Sequence, residues 1–152
     1  MTDFRPTITA HLVVRGAGRA AQWYADAFGA VEENRIAVPD GRFLEIALRI
    51  GNSPLKLCDE FPEMAVLSPL SVGGTYGALH IATDDVDVLW ARALAAGAEV
   101  HQPLQDAFWG ERTGQVIDPF GHRWGLSQHL RDVPPGEVAA GVAALFGAAP
   151  QD

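Results

Sequence analysis

Residues 7–29 read TITAHLVVRGAGRAAQWYADAFG, and residues 78–97 read ALHIATDDVDVLWARALAAG. Each stretch opens on a short β-branched or apolar run that reads as a strand, Thr7 to Arg15 in the first and Ala78 to Thr83 in the second. Gly16 and Gly18 break the first strand, and Asp84 or Asp85 offers an N-cap after the second. Helical spacing comes next. Ala20, Tyr24, Ala27 and Phe28 fall on one face of a helix over 19–28, and Val86, Leu89, Trp90, Ala93 and Leu94 on one face of a helix reaching Ala96. Gly29 and Gly97 end them, since glycine accepts the left-handed conformation of a helix C-terminus.

The segments after the two helices are also alike. The first helix is succeeded by strands over 31–38, 42–50 and 54–59, with turns at Pro39-Asp40-Gly41 and Gly51-Asn52-Ser53. The second is succeeded by strands over 99–103, 113–118 and 123–129, with a turn at Pro119-Phe120-Gly121. His11 and His80 stand 69 positions apart, Gly29 and Gly97 68, and Gly51 and Gly121 70. Three landmarks at nearly one offset indicate an internal duplication. The fold class expected is α+β, built from two βαβββ modules, over about 7–60 and 77–130 of a single domain at 1–131. Residues 132–152 then form a proline-bearing linker and a short helix over 137–146. Val138, Val142, Leu145 and Phe146 make an apolar stripe on that helix, expected to pack on the domain or on a partner. The connection from Glu60 to Gly77 is longer than most, as a lid or a subunit contact would be.

Composition narrows the function classes. A chain of 152 residues with 48% hydrophobic and 20% charged residues buries a sizeable core without disulfides. A net charge of −8 with no Lys/Arg run opposes nucleic-acid binding. The start, Met1 to Thr9, is polar and lacks a signal-peptide core, and no apolar run is long enough for a membrane span. One cysteine, Cys58, forms no internal disulfide, and the expected location is cytoplasmic. The sequence 16–21 (GAGRAA) approaches a dinucleotide fingerprint, but the polar Glu32-Glu33-Asn34-Arg35 is not the next strand of a Rossmann unit. HExxH, CxxC and GxSxG motifs do not occur. Cys58 would be a nucleophile only with a lowered pKa.

The stretch Phe108-Trp109-Gly110-Glu111-Arg112-Thr113-Gly114-Gln115, followed by Asp118-Pro119-Phe120-Gly121-His122-Arg123-Trp124, together with the two strand–helix starts, resembles the vicinal-oxygen-chelate superfamily. That superfamily includes glyoxalase I, extradiol dioxygenases and bleomycin-resistance proteins; the second half looks most like its PhnB-type branch. The resemblance covers about residues 7–129. It implies mixed sheets curled around a pocket, either within a chain or across a homodimer. It also implies metal ligands on the first and last strands of each half, which hold Zn, Ni, Mn or Fe in metal-dependent members.

Here the first-strand positions are His11 and His80, the candidate ligands. The last-strand carboxylates expected from the resemblance are missing: the second falls at or near Gly125, the first in Leu55-Lys56-Leu57. Glu45, Gln128 and His129 are candidate substitutes, and Glu45 is the one candidate base. Phe108, Trp109 and Trp124 offer aromatic faces to a ligand, and Arg112 a bidentate fork for an oxyanion; the alternative for this group is core aromatics and an arginine paired with Asp106 or Glu111. Three readings stay open. The pocket sequesters a small aromatic or amphipathic molecule, as antibiotic-resistance relatives do. A divalent metal on His11 and His80 supports a lyase, isomerase or dioxygenase reaction. Or the chain is a structural dimer with a vestigial pocket.

Overall fold

The computed structural model describes residues 5–147. Residues 1–4 of the polar start, and 148–152 of the C-terminal segment, lie outside the described residues. Two modules of the same topology succeed one another. The first has β1 (Ala10–Val14), α1 (Ala17–Phe28), β2 (Val31–Ala37), β3 (Phe43–Ile50) and β4 (Ser53–Asp59). The second has β5 (Ala78–Ala82), α3 (Val86–Ala95), β6 (Glu99–Asp106), β7 (Glu111–Ile117) and β8 (Arg123–His129). Between them stand a 3-10 turn (Pro62–Met64) and α2 (Pro69–Val72), and α4 (Pro135–Phe146) is the last described element. The sheets run β1-β4-β3-β2 and β5-β8-β7-β6. In each, the first strand is parallel to the last and the other pairs are antiparallel. The fold is α+β, made of two βαβββ modules.

Each sheet buries one face. Val14, Ile46, Leu48, Leu55 and Leu57 of the first module, and Val116, Trp124 and Leu126 of the second, are all buried. They alternate with residues on the opposite face, as the two-residue period of a strand requires. Helix α1 lays Ala17, Ala20, Ala21, Tyr24, Ala27 and Phe28 on its buried side. The alanines let its backbone approach the sheet, and Tyr24 and Phe28 fill the space beyond. Helices α1 and α3 lie against each other, and one hydrophobic core spans both modules. Each fully buried Leu, Ile or Phe contributes about 1.5–3 kcal/mol by leaving water.

The duplication extends to the helix starts. Asp59, at the end of β4, accepts the Gly16 and Ala17 amides with one oxygen (3.1 and 2.7 Å) and the Phe43 amide with the other (2.7 Å). Gln128, 69 positions on, accepts the Val86 amide at the start of α3 (3.0 Å). Both side chains satisfy helix donors that have no partner within the helix. Asp85 caps α3 through the Val88 amide (3.2 Å).

Several boundaries differ from the sequence reading. Helix α1 begins at Ala17, with Gly18 inside it. Strand β6 runs on to Asp106, through Pro103, because as an edge strand it tolerates a residue without an amide hydrogen. Strand β7 starts at Glu111, so Phe108 to Gly110 is the hairpin tip. The 60–77 connection is ordered by Glu60, which accepts the Ser68 amide (2.9 Å), the Ser68 hydroxyl (2.6 Å) and the Ser71 hydroxyl, and pairs with Arg15 (3.5 Å). Helix α4 is less covered than its stripe suggested: Val142, Leu145 and Phe146 are exposed. It is joined to the domain at Gly141, where the Phe108 ring occupies the space a Cβ would need, and by Arg131–Glu137 (2.8 Å).

Candidate functional site

A groove of about 650 Å³ runs along the free edge of β5, between the modules. Its walls include Leu79, Ile81, Phe28 and Trp124, with Ile50 to Leu55 of the β3–β4 hairpin opposite. His80, Asp85 and Arg92 supply polar groups. Its size and its mix of apolar wall with a few polar groups are those of a small-molecule site.

His80 is held in place. Its Nε2 is 2.8 Å from the Ser127 hydroxyl, and its ring lies over Gly125, its register partner on β8. A Cβ at position 125 would come within 2.3 Å of Nδ1. Gly125 is therefore the seat of the imidazole. Arg92 is fixed by the carbonyl oxygens of Asp26 (2.9 and 3.2 Å) and Ala25 (3.4 Å) at the end of α1, where a cation meets the negative end of the helix dipole.

Trp124 is the one residue of the four-residue ligand-binding set that lines the groove, and its indole N–H is committed elsewhere. It donates to Asp118 Oδ2 (2.8 Å), which also accepts the Tyr24 hydroxyl; Asp118 Oδ1 accepts the Phe120 (2.9 Å) and His122 (3.0 Å) amides. Burial pushes the Tyr24 phenol up, and the adjacent Asp118 charge adds to that. The Asp-Pro-Phe-Gly turn thus ties the second module to α1 of the first. His122 Nε2 to the Val13 carbonyl (2.8 Å) and Trp23 to the Ala96 carbonyl (2.7 Å) are further ties.

The other three lie away from the groove. Phe108 supports α4 at Gly141, and Trp109, 43% exposed, donates to Glu111 (3.0 Å). Arg112 spans Asp87 (2.9 Å) and Asp106 (3.0 Å), so its fork is already filled by carboxylates. Of the two partners expected for it, Asp106 is one.

The donor set does not fit a metal. His11 is exposed on β1 beside Lys56, its register partner. The Lys56 ammonium is 3.0 Å from Glu45, a cation where a cation would have to bind. Glu45 is an ion-pair partner on the first sheet, outside the groove. His80 lines the groove and His11 does not. Gln128 faces α3, and His129 pairs with Asp132 at the surface (3.0 Å). Among the described residues, no group of three or more His, Cys, Asp or Glu side chains is placed to hold a metal ion. Cys58 is buried, and burial raises its thiol pKa, with the neighbouring Asp59 charge adding to the effect. This is the opposite of an activated nucleophile.

Comparison with known proteins agrees with the architecture. Residues 7–126 match the family model of the glyoxalase/bleomycin resistance protein/dioxygenase superfamily. An uncharacterized protein of Mycobacterium bovis is 42% identical over 144 residues, covering 93% of this chain and 95% of the relative. The crystal structure of TioX from Micromonospora superposes with a TM-score of 0.63 at 26% identity, covering 83% of this chain and all of that one (100%). A PhnB protein from Bacillus cereus superposes with a TM-score of 0.64 at 16% identity, over 81% of this chain and 99% of that one; at that identity the likeness is one of fold.

Proposed function

The chain belongs to the glyoxalase/bleomycin resistance/dioxygenase superfamily, and on that basis we propose that it binds and sequesters a small, partly aromatic or amphipathic molecule. The observation that carries this reading is the groove along β5. Its wall mixes apolar and polar surface, with the edges of the buried Phe28 and Trp124 in it, and His80 and Arg92 are held there by other residues before any ligand arrives. Pre-organised polar groups beside aromatic faces recognise such ligands at a reduced entropy cost on binding. Members of this superfamily often bind divalent metals, but His11, Lys56, His80 and Gly125 do not form a ligand set, so no metal-dependent step is derived for this chain.

The reading includes a homodimer and a cytoplasmic location. All seven residues of β2 are exposed, and Val31, Ile36, Leu44 and Val100 present apolar surface on the strands. These faces support association with a second copy, which size-exclusion chromatography with light scattering reads directly. The buried, unactivated Cys58 thiol accords with a reducing compartment.

The test is a ligand panel that includes bleomycin-type compounds, read by tryptophan fluorescence and melting temperature. A binder is expected to change Trp124 emission and raise the melting temperature. Ala82→Trp, which fills the groove from an exposed position on β5, should abolish both responses and leave the unliganded melting temperature nearly unchanged. Ligands that bind the variant as well as the parent would overturn the assignment of the groove.

A further inference from the structure

A second cavity, of about 370 Å³, opens on the other face of β8. Arg123 precedes Trp124 in the strand, so its side chain points away from the core. The cavity and the groove share no lining residue. Leu70 of α2, Thr75, His101 of β6, and Ile117 of β7 surround Arg123, and among the described residues no carboxylate lines the cavity.

Arg123 differs from the arginines around it. Arg15, Arg35, Arg42, Arg49, Arg112 and Arg131 each reach a carboxylate, Arg92 has backbone carbonyls, and Arg19 lies over the Phe120 ring. The Arg123 side chain has no hydrogen-bond or ion-pair partner among the described residues, and its Nε is closed off from solvent. A buried guanidinium N–H without an acceptor is unfavourable. In a chain of net charge −8, acidic side chains are not scarce. The missing partner is a property of this cavity, and the two terminal guanidinium nitrogens, engaged by none of the described residues, are left for an acceptor from outside.

We propose that the cavity is a binding site for a small organic acid, whose carboxylate pairs with Arg123 and whose apolar body lies against Leu70 and Ile117. A guanidinium presents two parallel donors that match the two oxygens of a carboxylate. His101 and Thr75 give further polar contacts at the rim. The single arginine and the apolar remainder of the wall favour one carboxylate on a hydrocarbon body over a free phosphate, which needs more donors. This site stands independently of the groove.

Benzoate, benzamide and inorganic phosphate are the probes, titrated calorimetrically into the full chain. Benzoate is expected to bind saturably with a Kd of about 1 mM, a value ordinary for so small a ligand, and to shift the amide resonances of Thr75 and Ile117. Benzamide, its neutral counterpart, and phosphate should each bind at least about tenfold more weakly. Arg123→Met keeps the apolar stem and is expected to fold normally by circular dichroism, with benzoate affinity reduced about tenfold or more. Arg123→Lys, which keeps the charge but loses the fork, should fall between. Ala82→Trp should leave benzoate binding intact, so failure of the groove reading and failure of this one are separate results. The proposal is overturned if benzoate does not bind, if phosphate or benzamide binds equally well, or if Arg123→Met binds as the parent does. Should Arg123→Met misfold, His101→Ala with the resonance shifts decides: shifts elsewhere than around the cavity overturn the site.

Discussion

Gly125 shows how one position changes meaning between sequence and structure. In the sequence it is a place where a family carboxylate is missing. In the fold it is the surface on which the His80 ring rests, with room for a hydrogen and no more. Gly125→Ala is therefore expected to push the ring aside and break the His80–Ser127 hydrogen bond. The cost should be about 1–3 kcal/mol, as for other overpacked sites, measured by denaturant unfolding. Restoring a carboxylate there does not restore a metal site, because its side chain and the imidazole claim the same volume. Titration of the native protein with Zn²⁺, Ni²⁺, Mn²⁺ or Fe²⁺ should accordingly give no stoichiometric binding and no metal-dependent rise in melting temperature. A tight one-to-one site, lost in His11→Ala and His80→Ala, would contradict this. Asp118 is a second residue whose role needed the fold. Three of its four acceptor contacts hold the turn and the start of β8, and the fourth, from the Tyr24 hydroxyl, joins them to a helix 94 positions away in sequence. Asp118→Ala leaves several buried donors unpaired and is expected to cost about 3 kcal/mol or more.

Among the elements, the 60–77 connection carries the clearest pH dependence. Glu60 is held down to about 2, first by the Ser68 hydroxyl and then by that of Ser71, with Arg15 adding its charge. The ordinary value for such a carboxyl is 4.5, so on acidification the unfolded chain takes up the proton first. The stabilisation is thus complete above about pH 5 and is lost as the pH falls from there to about 2. Glu60→Gln should lower stability by about 1–2 kcal/mol at pH 7. The difference between variant and parent should shrink towards zero by about pH 2, as read from melting curves across that range. The strands and helices around this connection were legible because their apolar periods are strong: α1 and α3 follow their stripes, and the β3 and β4 hairpin follows its turn residues. The connection itself was not, since its order rests on a carboxylate meeting two serines 8 and 11 positions on, and no period marks that. Strand β6 continues past Pro103 to Asp106, beyond the 99–103 expected from the sequence, because its edge position makes the proline tolerable.

For the whole molecule, the two modules are joined by the burial of α1 against α3 and by cross-module contacts such as Tyr24–Asp118, Trp23–Ala96 and His122–Val13. That arrangement buries the helix side of each sheet and leaves the opposite faces open. A homodimer that covers these faces is expected to elute at twice the chain mass, and a monomer at all concentrations would remove that part of the functional reading. The duplication, the element order and the family are all legible in the chain alone. They reside in local periods, turn chemistry and a constant offset, which survive without knowing what touches what. The site is not legible there. Folding brings Trp124 to the groove, commits Phe108 to α4 and Arg112 to two aspartates, pairs Glu45 with Lys56, and leaves Arg123 without a partner among the described residues. Which side chain has a partner depends on distances across strands and between modules, and residue spacing along one chain does not encode those.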